Sequence, residues 1–199
     1  MNEHRRRIAD ELYAVSRAHD QAHRDRLERF RNVEPPTAEL LGVLVRATGA
    51  RRILELGTSN GYSTIWLADA AEATGGAVVS VDVDAARTEL ARGNLRDAGL
   101  EERVELRTED AARTLERSDD GEWELVFLDS ERPAYPSYLR DLVRTLAPRG
   151  VLAVDNVESH AHELTEFTEL IEAEPELTQT VVPVGAGLRL AARDPRPAK

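Results

Sequence analysis

The chain has 199 residues, a formal net charge of −11 and no cysteine. This length suffices for one domain with its own hydrophobic core, and the lack of cysteine excludes disulfides and thiolate chemistry. No apolar run approaches the length of a membrane span, and the charged segment 1–7 lacks the apolar stretch of a secretory signal. We therefore predict a single domain over residues 1–199, located in the cytoplasm and without a membrane partner.

The N-terminal part of the chain has two predicted sections. Residues 1–31 place Ile8 and Leu12 at helical spacing among many charges, which predicts a helical extension packed on the domain. A substrate lid or a dimer arm is the alternative interpretation. The segment 32–36 ends in two prolines and is predicted to be a turn or extended, with Thr37 capping the helix that follows.

A glycine-containing segment follows a short apolar run and is the central motif of the chain. Residues 53–56 predict a buried strand, and Gly57 and Gly61 then lead into a helix with apolar spacing. The two glycines let the backbone turn sharply and let a ligand approach it, and the helix N-terminus favours an anionic group. The spacing is not that of the dinucleotide fingerprint, which needs other glycine offsets. A turn without any ligand is the alternative. Glu55 is an acid inside this strand and should require a cationic or N–H partner.

Strand-like and helix-like segments alternate through the rest of the chain, which predicts an α/β fold. The further predicted strands are 77–82, 104–107, 122–129 and 151–156, followed by a hairpin of 177–184 and 188–192. The further predicted helices include 85–98, 135–146 and 160–173. Five strand–helix units followed by an antiparallel hairpin indicate a mostly parallel sheet. The proline-rich end, 193–199, is predicted to be a disordered tail.

Acidic and amide side chains stand at the predicted carboxyl ends of strands, where open α/β sheets bind their ligands. Asp82 ends the second strand and is the candidate for binding a ribose, whereas Asp84 is placed to cap the next helix. Asp129, Asp155 and Asn156 follow the fourth and fifth strands and offer only oxygen ligands, which suit Mg²⁺, Ca²⁺ or Mn²⁺. Ordinary strand-end turn residues remain the alternative for each one alone.

Several ordered motifs between residues 32 and 192 resemble the catechol and caffeoyl-CoA type O-methyltransferases, a metal-dependent branch of the class I S-adenosylmethionine-dependent methyltransferases. These motifs include Leu54–Ser63 and the closing hairpin Pro183–Leu188, and the most specific is the Asp155-Asn-Val segment together with the upstream Asp129. The resemblance implies a Rossmann-like sheet of seven strands in the order 3-2-1-4-5-7-6, with strand 7 antiparallel and helices on both faces. It also implies a homodimer.

The resemblance implies two cofactors. S-adenosylmethionine is the first, with Ser63 reaching its carboxylate, and a divalent metal, Mg²⁺ by preference, is the second. The implied metal ligands are Asp129, Asp155 and Asn156. The implied cofactor-binding residues are Asn32, Val33, Glu55, Gly57, Thr58, Ser59, Gly61, Tyr62, Ser63, Asp82, Val83, Asp110, Ala111 and Asp129.

The sequence departs from the family pattern at two positions. Glu109 stands where glycine is usual beside the adenine, and Arg132 stands where the family has its general-base lysine. A guanidinium stays charged and cannot accept a proton. The metal alone could acidify the substrate hydroxyl, His160 could accept the proton, or catalysis could be lost. Arg132 would then orient an acidic substrate or stabilise an anion, and a polar residue at a helix start is the alternative role for His160.

The sequence thus predicts methyl transfer to a hydroxyl of a small catechol-like or other vicinal-diol substrate with a divalent metal. One alternative is a tRNA hydroxyuridine O-methyltransferase, favoured by a basic cluster at Arg24, Arg26, Arg29 and Arg31. The net charge of −11 opposes it, since binding to nucleic acid depends on a cationic surface. The other alternative is a non-catalytic S-adenosylmethionine-binding protein.

Overall fold

A computed structural model describes residues 1–195. Its centre is a seven-stranded sheet in the order β3-β2-β1-β4-β5-β7-β6, which confirms the predicted fold. The strands are β1 Arg52–Leu56, β2 Ala77–Asp82, β3 Val104–Thr108, β4 Trp123–Leu128, β5 Leu146–Val154, β6 Leu177–Val182 and β7 Leu188–Arg193. Strands β1 to β5 run parallel to one another, and β7 pairs antiparallel with both β5 and β6.

Helices cover both faces of the sheet. Within residues 1–195 the α-helices are α1 Glu3–Ala22, α2 Pro35–Thr48, α3 Tyr62–Thr74, α4 Ala85–Asp97, α5 Ala111–Arg117, α6 Tyr135–Thr145 and α7 Thr165–Glu172. Successive strand residues point to opposite faces, so Phe127 joins a core with α1 to α4, while Val126 and Leu128 join a core with α5 to α7. Among the helices just named, none is long and apolar enough to cross a membrane.

The N-terminal helix is attached to the domain through buried polar contacts. Asp69 on α3 is almost fully buried and accepts a hydrogen bond from Arg5 of α1 at 3.0 Å, and it also pairs with Arg46 of α2. These cations hold the pKa of Asp69 below its ordinary value, although its burial opposes them. Ser16 of α1 accepts a hydrogen bond from Asn60 at 2.6 Å, close to the start of α3. The α1 helix therefore packs directly behind the glycine loop.

The structure corrects the predicted start of α2. The helix begins at Pro35, so both prolines lie in its first turn, where a missing N–H costs no helical hydrogen bond. Glu34 is the capping position and makes no side-chain cap, while Thr37 is buried inside the helix. The prediction of an extended Pro-Pro segment capped by Thr37 was therefore wrong.

Two predicted element boundaries also differ. Strand β5 begins at Leu146, before Pro148, because the pairing with β4 is irregular between Trp123 and Leu125 and leaves room for proline. The predicted helix from His160 is interrupted, with a 3₁₀ turn at Ala161–Glu163 before α7.

The structure also bears on the predicted C-terminal tail. Arg193 belongs to β7, and its buried guanidinium donates to the carbonyl of Leu146 at 2.6 Å. The ordered strand thus includes the first residue of the predicted tail. Residues 196–199 lie outside the described residues, so the prediction for them stays a prediction.

The loop between β1 and α3 requires glycine for two reasons. Gly57 has a φ of +114°, which side-chain-bearing residues rarely adopt. A Cβ built there would overlap the backbone carbonyl of Asp129, and Asp129 N donates to Leu56 O at 2.9 Å. The ends of β1 and β4 are therefore in backbone contact.

Gly57→Ala should lower the free energy of unfolding by about 3 kcal/mol or more, since steric overlap adds to left-handed strain. Gly49→Ala is a matched control, because Gly49 has a φ of +69° with no atom within 4 Å of its Cβ position. In Gly49→Ala the free energy of unfolding should fall by only about 1–2 kcal/mol. Urea unfolding monitored by circular dichroism measures both values. Equal losses would show that the contact with Asp129 carries no cost.

Candidate active site

A cavity of about 670 Å³ lies at the carboxyl ends of β1, β2, β4 and β5. It brings together most of the residues predicted from the sequence, although they are far apart in the chain. The predicted residues that line it are Asn32, Val33, Gly57, Thr58, Ser59, Ser63, Asp82, Val83, Asp110, Ala111, Asp129, Arg132, Asn156 and His160. Glu55, Gly61, Tyr62 and Asp155 are not among the lining residues.

Glu55 lies behind the glycine loop and is fully buried. Its carboxylate accepts hydrogen bonds from the hydroxyls of Ser63 and Ser80, both at 2.6 Å, and from Thr64. The expectation of a cationic or N–H partner was therefore wrong, because three hydroxyl groups take that place. Burial raises the pKa of Glu55 from 4.5 to about 7, against the effect of these hydrogen bonds. The residue supports the loop and does not face the cavity.

Gly61 and Tyr62 also shape the loop from behind. Gly61 has a φ of +85° and occupies the capping position of α3. Tyr62 is buried, and its ring lies 5.3 Å from that of Tyr13 on α1. Ser59 lies on the cavity side with a φ of +48°. The loop therefore presents its backbone at Gly57–Ser59 to the cavity, while its later residues pack into the core.

Asp82 lies at the end of β2 with its carboxylate on the cavity wall. One oxygen accepts from the backbone N–H of Ser59 at 2.8 Å, and the other accepts from Asp84 N–H at 2.9 Å. These two bonds fix the plane of the carboxylate beside the glycine loop. Asp84 caps α4 as predicted, accepting from Ala86 N–H at 2.8 Å. The carboxylate of Asp82 is therefore fixed in orientation where a ribose is expected.

Asp110 and Glu109 lie on the same side of the cavity. Asp110 caps α5 through Ala112 N–H at 2.8 Å. Glu109, the departure from the family's glycine, turns its carboxylate to α5 and accepts from Thr114 Oγ1 at 2.8 Å. The glutamate side chain is thus engaged with the helix that follows it, although it still contributes to the cavity lining.

A strap formed by residues 26–31 also lines the cavity through all of its residues except Glu28, and the sequence analysis did not predict its contacts. Arg87 of α4 donates to the carbonyls of Leu27 and Arg29, the latter at 2.8 Å. Ser59 Oγ donates to Phe30 O at 2.9 Å. These contacts join the strap to α4 and to the glycine loop. No local sequence signal indicates them, since the acceptors are backbone carbonyls distant in the chain.

Asp129, Asp155 and Asn156 converge as predicted. The Asn156 amide nitrogen lies 3.1 Å from Asp129 Oδ1 and 2.9 Å from Asp155 Oδ2. Burial, the dominant cause in each case, raises the pKa of Asp129 to about 6 and that of Asp155 to about 8, and the charge of Asp129 further raises the latter. Among the described residues, Asp155 Oδ1 is buried without a hydrogen-bond partner.

The closing hairpin holds this cluster in position. Gly187 O accepts from Val157 N–H, and Ala186 O accepts from the N–H groups of Glu158 and Ser159, all at 3.1 Å. Asn156 adopts a φ of +65°, a conformation that asparagine tolerates better than most residues. The hairpin motif found in the sequence therefore acts as a support for the loop after β5.

The two predicted catalytic residues have different surroundings. Arg132 is buried, and its Nε donates to Glu163 at 2.7 Å. His160 lines the cavity with its Nδ1 at 2.8 Å from Ser159 Oγ. Partial burial and the positive charge of Arg132 lower the pKa of His160, which keeps the imidazole neutral at neutral pH. His160 can therefore accept a proton, whereas Arg132 cannot.

Comparison with known proteins identifies the class. The family described as O-methyltransferase matches residues 14–194. The catechol O-methyltransferase of Mycobacterium tuberculosis is 40% identical over 126 residues, which cover 63% of this chain and 56% of that protein. The chain therefore belongs to the O-methyltransferase family.

Solved structures agree with this assignment. The O-methyltransferase from Bacillus cereus, in complex with SAH, superposes with a TM-score of 0.77 at 29% identity, over 94% of this chain and 90% of that chain. The O-methyltransferase TomG from Streptomyces achromogenes, in complex with SAM, has a TM-score of 0.74 at 30% identity, over 98% of this chain and 100% of that chain. The protein is an S-adenosylmethionine-dependent methyltransferase.

The buried Glu55 should give the folded protein a specific pH dependence. Between pH 4.5 and about 7 its carboxyl keeps a proton in the folded state and loses it in the unfolded state. The folded state then binds more protons, so this residue makes the free energy of unfolding fall as pH rises, by up to about 3 kcal/mol.

Glu55→Gln should remove this contribution, because the amide does not titrate. Urea unfolding at several pH values between 4.5 and 7 measures the difference in slope between variant and wild type. The exposed Glu116→Gln serves as the control and should leave the slope unchanged. The same slope in Glu55→Gln and wild type would contradict the raised pKa.

Proposed function

We propose that this enzyme methylates one hydroxyl of a small catechol-like or other vicinal-diol substrate with the help of a divalent metal ion, Mg²⁺ by preference. The observation that carries the proposal is the convergence of Asp129, Asp155 and Asn156 in one cluster, of which Asp129 and Asn156 line the same cavity as the glycine loop. The name of the similar Mycobacterium tuberculosis protein, a catechol O-methyltransferase, supports this substrate class.

The oxygen cluster fits a divalent ion in its chemistry. Asp155 Oδ1 is buried and unpartnered within the described residues, and the two facing carboxylates have only an amide between them. Asn156 could offer its oxygen instead of its nitrogen after rotation of the amide. Residues 1–195 contain no group of three or more histidine, cysteine or acidic side chains arranged for a metal, so the proposed site rests on two acids and the amide of Asn156. The ligands would be Asp129, Asp155 and Asn156, all oxygen donors suited to Mg²⁺.

The chain's own residues supply position and charge. Asp82 has its carboxylate fixed for the ribose hydroxyls, and the backbone at Gly57–Ser59 lies where the methionine part of S-adenosylmethionine is expected. A bound divalent ion would lower the pKa of the substrate hydroxyl. S-adenosylmethionine would supply the methyl group and leave as S-adenosylhomocysteine, and alignment of the substrate oxygen with it in one cavity would lower the barrier.

His160 is the proton acceptor in this proposal. It is the neutral imidazole at the cavity wall, and its Nδ1 is engaged by Ser159. Arg132 retains its charge and its bond to Glu163, so its part is electrostatic, beside the site where an anionic oxygen develops.

The tRNA alternative loses its main support in the structure. Arg26 and Arg31 of the basic cluster pair with Glu131, and Arg29 donates to the carbonyl of His23 at 2.8 Å. Arginines engaged in this way do not form the open cationic surface that nucleic acid binding requires. We therefore do not extend the proposal to nucleic acid.

Removal of the metal tests the proposal directly. Methyl transfer to catechol should fall to background in EDTA and return on addition of Mg²⁺. Asp155→Asn should weaken Mg²⁺ binding in calorimetry and lower kcat/KM by about 100-fold, since one charged ligand is lost. Asp120→Asn, at an exposed ion pair with Arg144, is the control and should change neither. Full activity in EDTA would remove the metal from the mechanism.

The role of His160 is tested against a neighbouring histidine. His160→Ala should lower kcat by about 100-fold with little change in KM for catechol, because proton removal and not binding is impaired. His162→Ala is the matched control, since this side chain is 79% exposed and does not line the cavity. If the two variants retain the same kcat, His160 does not accept the proton.

A further inference from the structure

Three arginines share two carboxylates beside the oxygen cluster. Arg132 pairs with Glu163 at 2.7 Å, and Arg31 pairs with Glu131 at 2.8 Å. Arg26 contacts both acids, Glu131 at 2.5 Å and Glu163 at 3.5 Å. Within these contacts alone, the three arginines carry one more charge than the two carboxylates. The arginines line the cavity, and the charges of Arg31 and Arg132 also act on Asp129, where they oppose the rise of its pKa on burial.

Arg31 differs from the other two arginines in having a buried side-chain nitrogen without a hydrogen-bond partner among residues 1–195. Its Nη2 donates to Glu131, but its Nε is buried and has no partner among residues 1–195. A buried donor without an acceptor costs free energy unless a ligand or water supplies one. Arg132, in contrast, already uses its Nε on Glu163.

The backbone at Arg31 is held in a strained conformation that aims the residue at the cavity. Its φ is +55°, which residues other than glycine and asparagine seldom adopt. Asp20 stabilises this turn by accepting the N–H groups of Phe30 and Arg31, both at 2.8 Å. The structure therefore fixes the position of a cation that has an unsatisfied donor.

The other arginines at the cavity are engaged with backbone carbonyls. Arg29 donates to the carbonyl of His23, and Arg87 donates to those of Leu27 and Arg29. They hold the strap and leave Arg31 as the arginine directed to a ligand. With Asp129 and Asp155 balanced by the divalent ion proposed above, the excess positive charge calls for one negative charge on the substrate.

We propose that Arg31 is a specificity-determining residue that binds a carboxylate on the substrate, so that the preferred substrate is a vicinal diol bearing one carboxylate group. The inference rests on the proposed function, since the diol itself is placed at the oxygen cluster. The guanidinium fork offers Nε and an Nη to the two carboxylate oxygens, the geometry in which arginine binds carboxylates best. Arg31 acts on binding and not on the transfer of the methyl group.

The test compares 3,4-dihydroxybenzoate with catechol, which differ by the carboxylate. The wild type should show a kcat/KM at least about tenfold higher for 3,4-dihydroxybenzoate, mostly through KM. Arg31→Gln should abolish this preference, because kcat/KM falls much more for 3,4-dihydroxybenzoate than for catechol. Arg31→Lys should restore part of it, because the charge returns without the planar fork. Arg92→Gln, at an ion pair outside the cavity, is the control and should keep the preference.

A second variant should change binding in the opposite direction. Glu131→Gln removes the acid that Arg31 and Arg26 now share, so both become available to the ligand. Calorimetry should then show tighter binding of 3,4-dihydroxybenzoate, by about three- to tenfold, and unchanged binding of catechol. A variant with impaired folding would instead bind both ligands more weakly.

The outcomes separate the two proposals. Equal kcat/KM for the two diols in the wild type, or an unchanged preference in Arg31→Gln, would overturn the role of Arg31 while leaving diol methylation intact. No methylation of either diol would overturn the proposed function. In that case, loss of 3,4-dihydroxybenzoate binding in Arg31→Gln would still support a carboxylate site, and unchanged binding would overturn it.

Discussion

The active site depends on the backbone contact between Gly57 and Asp129. Without a Cβ at Gly57, the end of β1 approaches the end of β4 closely enough that the two backbones touch. One side of this contact is the loop that faces the cofactor, and the other begins the oxygen cluster of Asp129, Asp155 and Asn156. In the proposed mechanism, the parallel pairing of these neighbouring strands would therefore set the separation of the methyl donor from its acceptor.

Three buried acids, Glu55, Asp69 and Asp155, differ in the partners that their carboxylate oxygens have. Glu55 receives three hydroxyl hydrogen bonds, which satisfy its oxygens, while its burial raises its pKa to about 7. Asp69 receives arginines, and its pKa is lowered. Among the described residues, Asp155 Oδ1 has neither a hydroxyl nor an arginine as a hydrogen-bond partner. A buried carboxylate that is not satisfied by its own chain is what a cation-binding site requires.

The strand order and most of the predicted cavity lining came from the resemblance to the O-methyltransferases. Periodicity, glycine positions and strand-end acids are local signals, and they predicted a mostly parallel sheet with polar residues at its strand ends. Asp82 and Asp84 illustrate this, since chain position alone assigned one to the ribose and the other to the helix cap. The failures were of another kind. The prolines of α2 were read as helix-breaking although a first turn accepts them. The partners of Glu55 and the contacts of the strap come from residues that meet only after folding, and no local spacing encodes them.

Because position 132 is an arginine, one residue cannot both carry the positive charge of the site and accept a proton. A lysine there could both carry charge and exchange a proton, whereas the guanidinium of Arg132 is permanently charged and bonded to Glu163. The permanent charge lowers the pKa of nearby His160, so the imidazole is neutral and can take the proton that arginine cannot. Arg132 in turn lies in a charge group with Arg26, Arg31, Glu131 and Glu163. Arg31 pairs with Glu131 and keeps a buried Nε without a partner among the described residues. In the two proposals made above, His160 therefore accepts the proton that Arg132 cannot, and Arg31 is the arginine available to the substrate.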